Sequence, residues 1–310
     1  MKNIARKHHY IPQAYLAAFT DTESKDGQFY VIDVDNGNGF RTSPKNVAAQ
    51  RDFNRVDVEG KPPDVLEQAL SPVEERMVEA CRNVNCNRTF PNDEDYNYII
   101  NLIGLLAIRN PKLRSSFNHA RKRTMDMVSS MLVSDERIFD HHMKKAKEAG
   151  NLDESDNVSY KEMKKFVEEQ NYEIEFLPEG NLRVEFHALD GLLRLLGERT
   201  WSLLLAPVPG PLFICSDHPV VLSKKISPRN VPIGYGTKNT EIFFPFGPNA
   251  GFYGVYEKPL PPELIIKPKN VAIMNRRMLE NAERHVFSKM DRFIIWSKGN
   301  IDEINCGSTI

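Results

Sequence analysis

The sequence predicts an α+β protein with a helical core, an N-terminal β-hairpin and a C-terminal antiparallel sheet. Three stretches carry that expectation. QFYVIDVD (28–35) is rich in β-branched and aromatic residues, and the NGNG after it supplies the positive φ angles of a tight hairpin. YNYIINLIGLLAI (96–108) is apolar nearly all round, as in a helix running through the middle of a fold. TWSLLLAPV, LFICS, PVVLS, EIFFPF and GFYGVY are short β-rich runs separated by Pro, Gly and Asn. Helices and strands are segregated along the chain and do not alternate, which separates α+β from α/β.

From the N-terminus, Pro12 suits a first helical turn, so residues 11–19 should form one short helix with Ile11, Tyr15, Leu16 and Phe19 on a shared face. After the hairpin, KNVAAQRDFNRV reads as a helical turn running into a strand around 53–58. From Asp64, placed as an N-cap, Leu66, Leu70, Val73, Met77 and Cys81 follow the helical period. Pro72 lies inside that pattern and should kink the helix or start a second one. Asn92 and Asp93 cap the apolar helix, and Asn110-Pro111 stops it. Residues 113–150 and 160–170 are charged and helical, 184–196 is amphipathic, and a last helix over 268–287 precedes the strand RFIIWS.

The 310 residues, 41% hydrophobic and 27% charged, describe one globular domain over 1–310, with residues 112–172 as a charged helical excursion within it. A net charge of −1 provides no global field toward DNA or membrane. The basic start is too short and broken in its apolar stretch for a signal peptide. No apolar run reaches the ~18–20 residues of a membrane span, so a cytoplasmic protein without membrane contact is expected. Cys81, Cys86, Cys215 and Cys306 lack CxxC spacing and read as free thiols. There is no glycine-rich phosphate loop, GxSxG or HExxH.

HHYIPQAYLAAF has the form HxxPxxYLxxF, carried by His9, Pro12, Tyr15, Leu16 and Phe19. With KNVAAQRDF, LEQALSPVEE, RNPKLR, FICSDHPV, EIFFPFGP and VAIMN in this order, the chain resembles the mainly bacterial family catalogued as domain of unknown function 4238. The resemblance implies no assigned activity, and with no glycine-rich phosphate loop in the sequence no organic cofactor is expected. It includes an SDxP motif at Ser216, Asp217 and Pro219, in which His218 stands where the family usually has Asn.

Several polar residues lie against apolar segments. Glu67 and Glu74 are seven residues apart, two helical turns, and project from one flank of the apolar stripe, with Glu75 farther toward solvent. They read as metal ligands, as an acid/base pair, or as a buried network with Arg109, Arg114 or Arg51. Asp217 ends an apolar run and serves either a site or a turn, while no partner at a telling spacing supports Ser216 as a nucleophile. His8 and His9 either cap a helix entry or, for His9, supply a base or ligand; His8 is expected to be exposed.

The sharpest functional expectation is a metal-dependent, nuclease-like hydrolase. His9, Glu67, Glu74, Arg109 and Asp217 would form its site, and His9, Glu67 and Asp217 would hold Mg²⁺, Mn²⁺ or Zn²⁺. Arg109 would neutralise a phosphate. RNA or DNA would be held by the local basic groups 121–123, 144–147, 161–165 and 276–277, which otherwise read as solvated helix faces. The alternative is a non-catalytic nucleic-acid- or protein-binding module with a buried structural ionic network.

Overall fold

A computed structural model describes residues 6–57, 59–153, 155–170, 172–224, 232–256 and 259–306. The chain forms two compact units, one of Met1–Pro111 with Pro178–Ile310, the other of Lys112–Leu177.

In the larger unit, β1 (Lys7–His9) leads through Pro12 into the one-turn helix α1 (Gln13–Leu16), and a 3-10 turn over Ala17–Phe19 completes it. Tyr15, Leu16 and Phe19 are buried as the spacing predicts. Tyr15 stacks on Phe244 at 5.2 Å and donates its hydroxyl to the Pro245 carbonyl at 2.7 Å, which fixes the N-terminal segment to the sheet. The expected hairpin is β2 (Phe29–Asp33) and β3 (Gly39–Thr42), with Gly37 at φ +71° in the turn.

The following segment departs from expectation. The strand is β4 (Ala49–Arg51), earlier than predicted, and it pairs antiparallel with β1 so that His8 faces Gln50 and His9 faces Ala49. Asp52, at φ +56°, turns the chain out of this ribbon, so 53–57 cannot continue as strand; residue 58 lies outside the described residues. Helix α2 (Val65–Asn87) passes through Pro72 as one element. Asp64 sits at its N-cap, but its carboxylate accepts from the Gln68 side chain instead of the helix backbone. The buried face is Met77, Val78, Cys81 and Val84, and Val73 is exposed, because only the C-terminal half of α2 reaches the core.

Asn92 caps α3 (Asp93–Ile108) through the Asp95 amide, and residues 102–108 are buried without a break. Helices α4 (Pro111–Leu132), α5 (Glu136–Glu148) and α6 (Tyr160–Glu169) follow; α5 and α6 are held together by Val133, Phe139 and Val167 with Met143, Tyr160 and Met163. Helix α7 (Pro178–Gly197) starts six residues before the predicted boundary and crosses α3 at Gly104. A Cβ there would stand 2.8 Å from Leu193, so the glycine permits the close approach.

The C-terminal strands are β5 (Thr200–Leu205), β6 (Cys215–Ser216), β7 (Val221–Lys224), β8 (Thr240–Gly247), β9 (Ala250–Val255) and β10 (Glu263–Ile265). Helix α8 (Pro268–Asn281) ends early, and the remainder of the predicted helix is β11 (His285–Ser288). β12 (Arg292–Ser297) and β13 (Asn300–Asn305) close the chain as a hairpin. One sheet has the order β10-β5-β9-β8-β7, antiparallel except for β10 beside β5; a second has the order β3-β2-β11-β6. Thus the N-terminal hairpin is completed by late strands. Phe213, Phe243, Val271, Met278 and Phe293 belong to one buried cluster in this part of the unit. The class is α+β.

Candidate functional site

The polar group that the fold assembles lies where the β1–β4 ribbon meets α2. Phe53 is buried against Tyr10 at a centroid distance of 5.8 Å, and this anchor sets Asn54, fully buried, beside both elements. The Asn54 backbone N–H donates to His8 Nδ1 at 2.9 Å, so neutral His8 carries its proton on Nε2. The Asn54 side-chain amide donates to Glu67 Oε2 at 2.7 Å. His8, expected at the surface, is 1% exposed because strand pairing turns its ring inward.

His9 Nδ1 lies 3.4 Å from the Gln13 amide nitrogen. Burial holds the His9 pKa below its ordinary value; nearby Lys7 acts in the same direction, and the Lys45 and Pro44 carbonyls and the Glu67 charge act against it. His9 Nε2 and Asn54 Oδ1 are both sealed from solvent without a hydrogen-bond partner. Buried polar atoms are normally paired, so the unpartnered amide oxygen of Asn54, on the side chain that holds Glu67, calls for an explanation.

The other sequence candidates are placed differently. Glu74 forms an ion pair with Arg109, whose side chain is 2% exposed. Arg109 Nε and Nη1 have no hydrogen-bond partner, and the guanidinium borders a cavity of about 10 Å³ with Glu185 and Phe186, room for a single water. Asp217 is 4% exposed, and its carboxylate accepts from the backbone amides of Glu283, Arg284 and His285 at 2.8–2.9 Å, clamping the start of β11. Burial raises its pKa, and those three donors pull it down. Ser216 is buried with its hydroxyl on the Met278 sulfur at 3.2 Å.

His9 and Glu67 are therefore brought together, Glu74 and Arg109 form a second pair, and Asp217 holds backbone. Among the described residues no three His, Cys, Asp or Glu side chains form a metal-binding group, so His9, Glu67 and Asp217 do not constitute one. Cys81, Cys86, Cys215 and Cys306 are free; burial pushes the Cys215 thiol up to about 12, far from a reactive thiolate.

The segments carrying the sequence resemblance include the ribbon, α2 and the Asp217 clamp. A family model described as protein of unknown function (DUF4238) matches residues 7–292. The chain belongs to the DUF4238 family. No curated protein and no solved structure matches it. In this DUF4238 chain, Asn54 is the residue that sequence reading missed. It follows directly on the KNVAAQRDF segment that carries part of the resemblance, and a single Asn after an aromatic anchor has no spacing to betray it.

Members of three of the basic groups have acidic partners. Lys144, Lys164 and Lys165 pair with Glu148, Glu168 and Glu169 one turn on, Arg276 with Glu280, and Arg277 with buried Glu241 at 2.6 Å. A different basic surface borders the site: residues 6–7 and 45–57 hold five cations, Arg6, Lys7, Lys45, Arg51 and Arg55, against two carboxylates, Asp52 and Asp57. No helix among the described residues is long and apolar enough to cross a membrane.

Proposed function

We propose that this DUF4238 protein is a cytoplasmic, nuclease-like hydrolase whose working group is His9, Asn54 and Glu67 at the junction of the β1–β4 ribbon and α2. The observations that carry the reading are the hydrogen bond that joins fully buried Asn54 to the Glu67 carboxylate and the two sealed atoms without a partner in this part of the fold, Asn54 Oδ1 and His9 Nε2. The Asp217 carboxylate, by contrast, is spent on three backbone amides. Groups left incomplete inside a fold are characteristic of sites that await a ligand or reaction partner.

Burial keeps His9 uncharged near neutral pH, so its ring has a lone pair to give. Glu67, like His9, is half-buried, which leaves its carboxylate able to orient or deprotonate an attacking water. The excess positive charge of the ribbon favours a polyanion such as RNA or DNA. Arg109, enclosed on Glu74, gives way to this ribbon as the group that meets phosphates.

A second reading, a binding module without chemistry, draws support from Asp217 and the Glu74–Arg109 pair, both of which act as structure. Incubating purified protein with single-stranded RNA and DNA separates the two. Hydrolysis that disappears in His9→Ala supports the enzyme, whereas salt-sensitive binding without cleavage supports the module.

A further inference from the structure

We propose that the exposed face of the β1–β4 ribbon grips the phosphate backbone of a nucleic-acid duplex, without regard to base sequence, through the cross-strand pair Lys7 and Arg51. The inference deepens the reading above and rests on it only for the class of partner. Lys7 stands directly opposite Arg51 in the register of the two strands. The flanking bonds run from the Asp52 amide to the Arg6 carbonyl at 2.7 Å and from the Tyr10 amide to the Ala48 carbonyl at 3.0 Å. Lys7 and Arg51 therefore occupy a non-hydrogen-bonded position of the ladder, where facing side chains approach most closely. Like charges directly opposite one another destabilise a strand pair. Two cations at this point work against the ribbon's own stability and in favour of an anion.

The remaining charges of the ribbon do not cancel this pair. Lys7 Nζ donates to the Lys45 carbonyl at 2.8 Å, an uncharged partner on a residue that is itself an exposed cation. The Arg51 side chain, 72% exposed, comes no nearer than 3.5 Å to Asp52, whose carboxylate already holds Arg6 at 2.6 Å. Arg55 is tied to Asp57 at 2.9 Å. The excess positive charge is thus concentrated on Lys7 and Arg51, with Lys45 beside them. Strand alternation puts Lys7, His9, Ala49 and Arg51 on one face, so a polyanion on the cation pair lies along the face that carries His9.

The side chains around the pair select the form of the polyanion. Tyr10 and Phe53, the aromatic residues that flank the ribbon, are 8% and 4% exposed and packed on each other. They offer no ring on which unpaired bases could stack, the usual means of holding single strands. Val47 and Ala48 are buried as well, so they offer nothing apolar to enter a lipid layer beside the cations. What the ribbon presents is positive charge held at a fixed spacing by paired strands, complementary to the regular phosphates of a duplex. Phosphate contacts position a protein on nucleic acid and carry no sequence information.

Fluorescence anisotropy of labelled duplexes titrated with the full chain in EDTA, over a series of NaCl concentrations, tests the grip without any cleavage. Two duplexes of unrelated sequence should bind equally, and more tightly than their separated strands. The slope of log K against log salt should be shallower by about 0.9 in each of Lys7→Gln and Arg51→Gln. Thermal melts of the same variants keep weaker binding apart from unfolding. At low salt Arg51→Gln should melt no lower than wild type, because the opposed charge is relieved. A salt slope unchanged in both variants, tighter binding to single strands or a preference for one duplex sequence overturns the proposal. An Arg51→Gln melt below wild type, or binding to phosphatidylglycerol vesicles in place of duplex, overturns it as well. Duplex binding without cleavage keeps the grip and removes the hydrolase; cleavage that His9→Ala abolishes, with both salt slopes unchanged, does the reverse.

Discussion

Glu74 and Arg109 are the clearest case of a charged pair that works for the fold. The arginine is 2% exposed and has one described side-chain partner, so a variant that removes the glutamate charge leaves an enclosed cation. Glu74→Ala should therefore cost about 3–5 kcal/mol in urea unfolding, while Glu74→Leu with Arg109→Met should return close to wild type. A Glu74→Ala loss under about 1 kcal/mol would show that the pair is not enclosed in solution. His9 makes a prediction of opposite character. Its folded pKa lies below the ordinary 6.5, so between the two values the unfolded chain holds the extra proton. Stability then falls as pH drops below about 6.5 and is level above it. His285, also lowered by burial, contributes in the same window. Urea midpoints at about pH 5 and about pH 7 should lie closer together in His9→Gln than in wild type; an unchanged gap would contradict the buried, neutral His9. Glu67 and Glu74 could be picked out from their seven-residue spacing. Asn54 and His8 could not, because their roles depend on Asp52 turning the chain and on the register of a three-residue strand pair.

At the scale of elements, α2 poses the sharpest problem. It runs 23 residues with Pro72 inside, although proline lacks an amide donor and crowds the preceding turn. Pro72 is exposed, so its replacement disturbs no packing. Pro72→Ala should stabilise the chain by about 1–3 kcal/mol, measured by thermal melting; a loss of stability would mean that the proline shapes the helix that carries Glu67. Elements with strong local signals were legible, among them α3, apolar all round and capped by Asn92, and the β2–β3 hairpin with its NGNG turn. Those set by distant partners were not. HVFS continues a helical pattern in sequence, yet becomes β11 because β2 and β6 flank it and the Asp217 clamp fixes its start. NIDEIN is mostly polar and exposed, and it is a strand only through pairing with β12.

The whole molecule divides its stabilisation unevenly. The unit of 112–177 rests on a small cluster around Val133, Phe139 and Val167, whereas the larger unit contains α3 and two sheets with their phenylalanine-rich interior. Hydrogen exchange should find α5 and α6 opening at much lower free energy than α3, and equal protection would contradict the division. The unit boundary also frames the functional account, since His8, His9, Asn54 and Glu67 all belong to the larger unit. Its central claim is that Glu67 reacts and does not merely pack. Glu67→Gln isolates that difference, because glutamine keeps an acceptor for the Asn54 amide and removes only the charge. Rates of RNA and DNA cleavage should therefore be measured beside the thermal melt of the same preparation. The account predicts a melt near wild type with cleavage slowed by about 10²-fold or more; undiminished cleavage, or a collapse of stability by several kcal/mol, would contradict it.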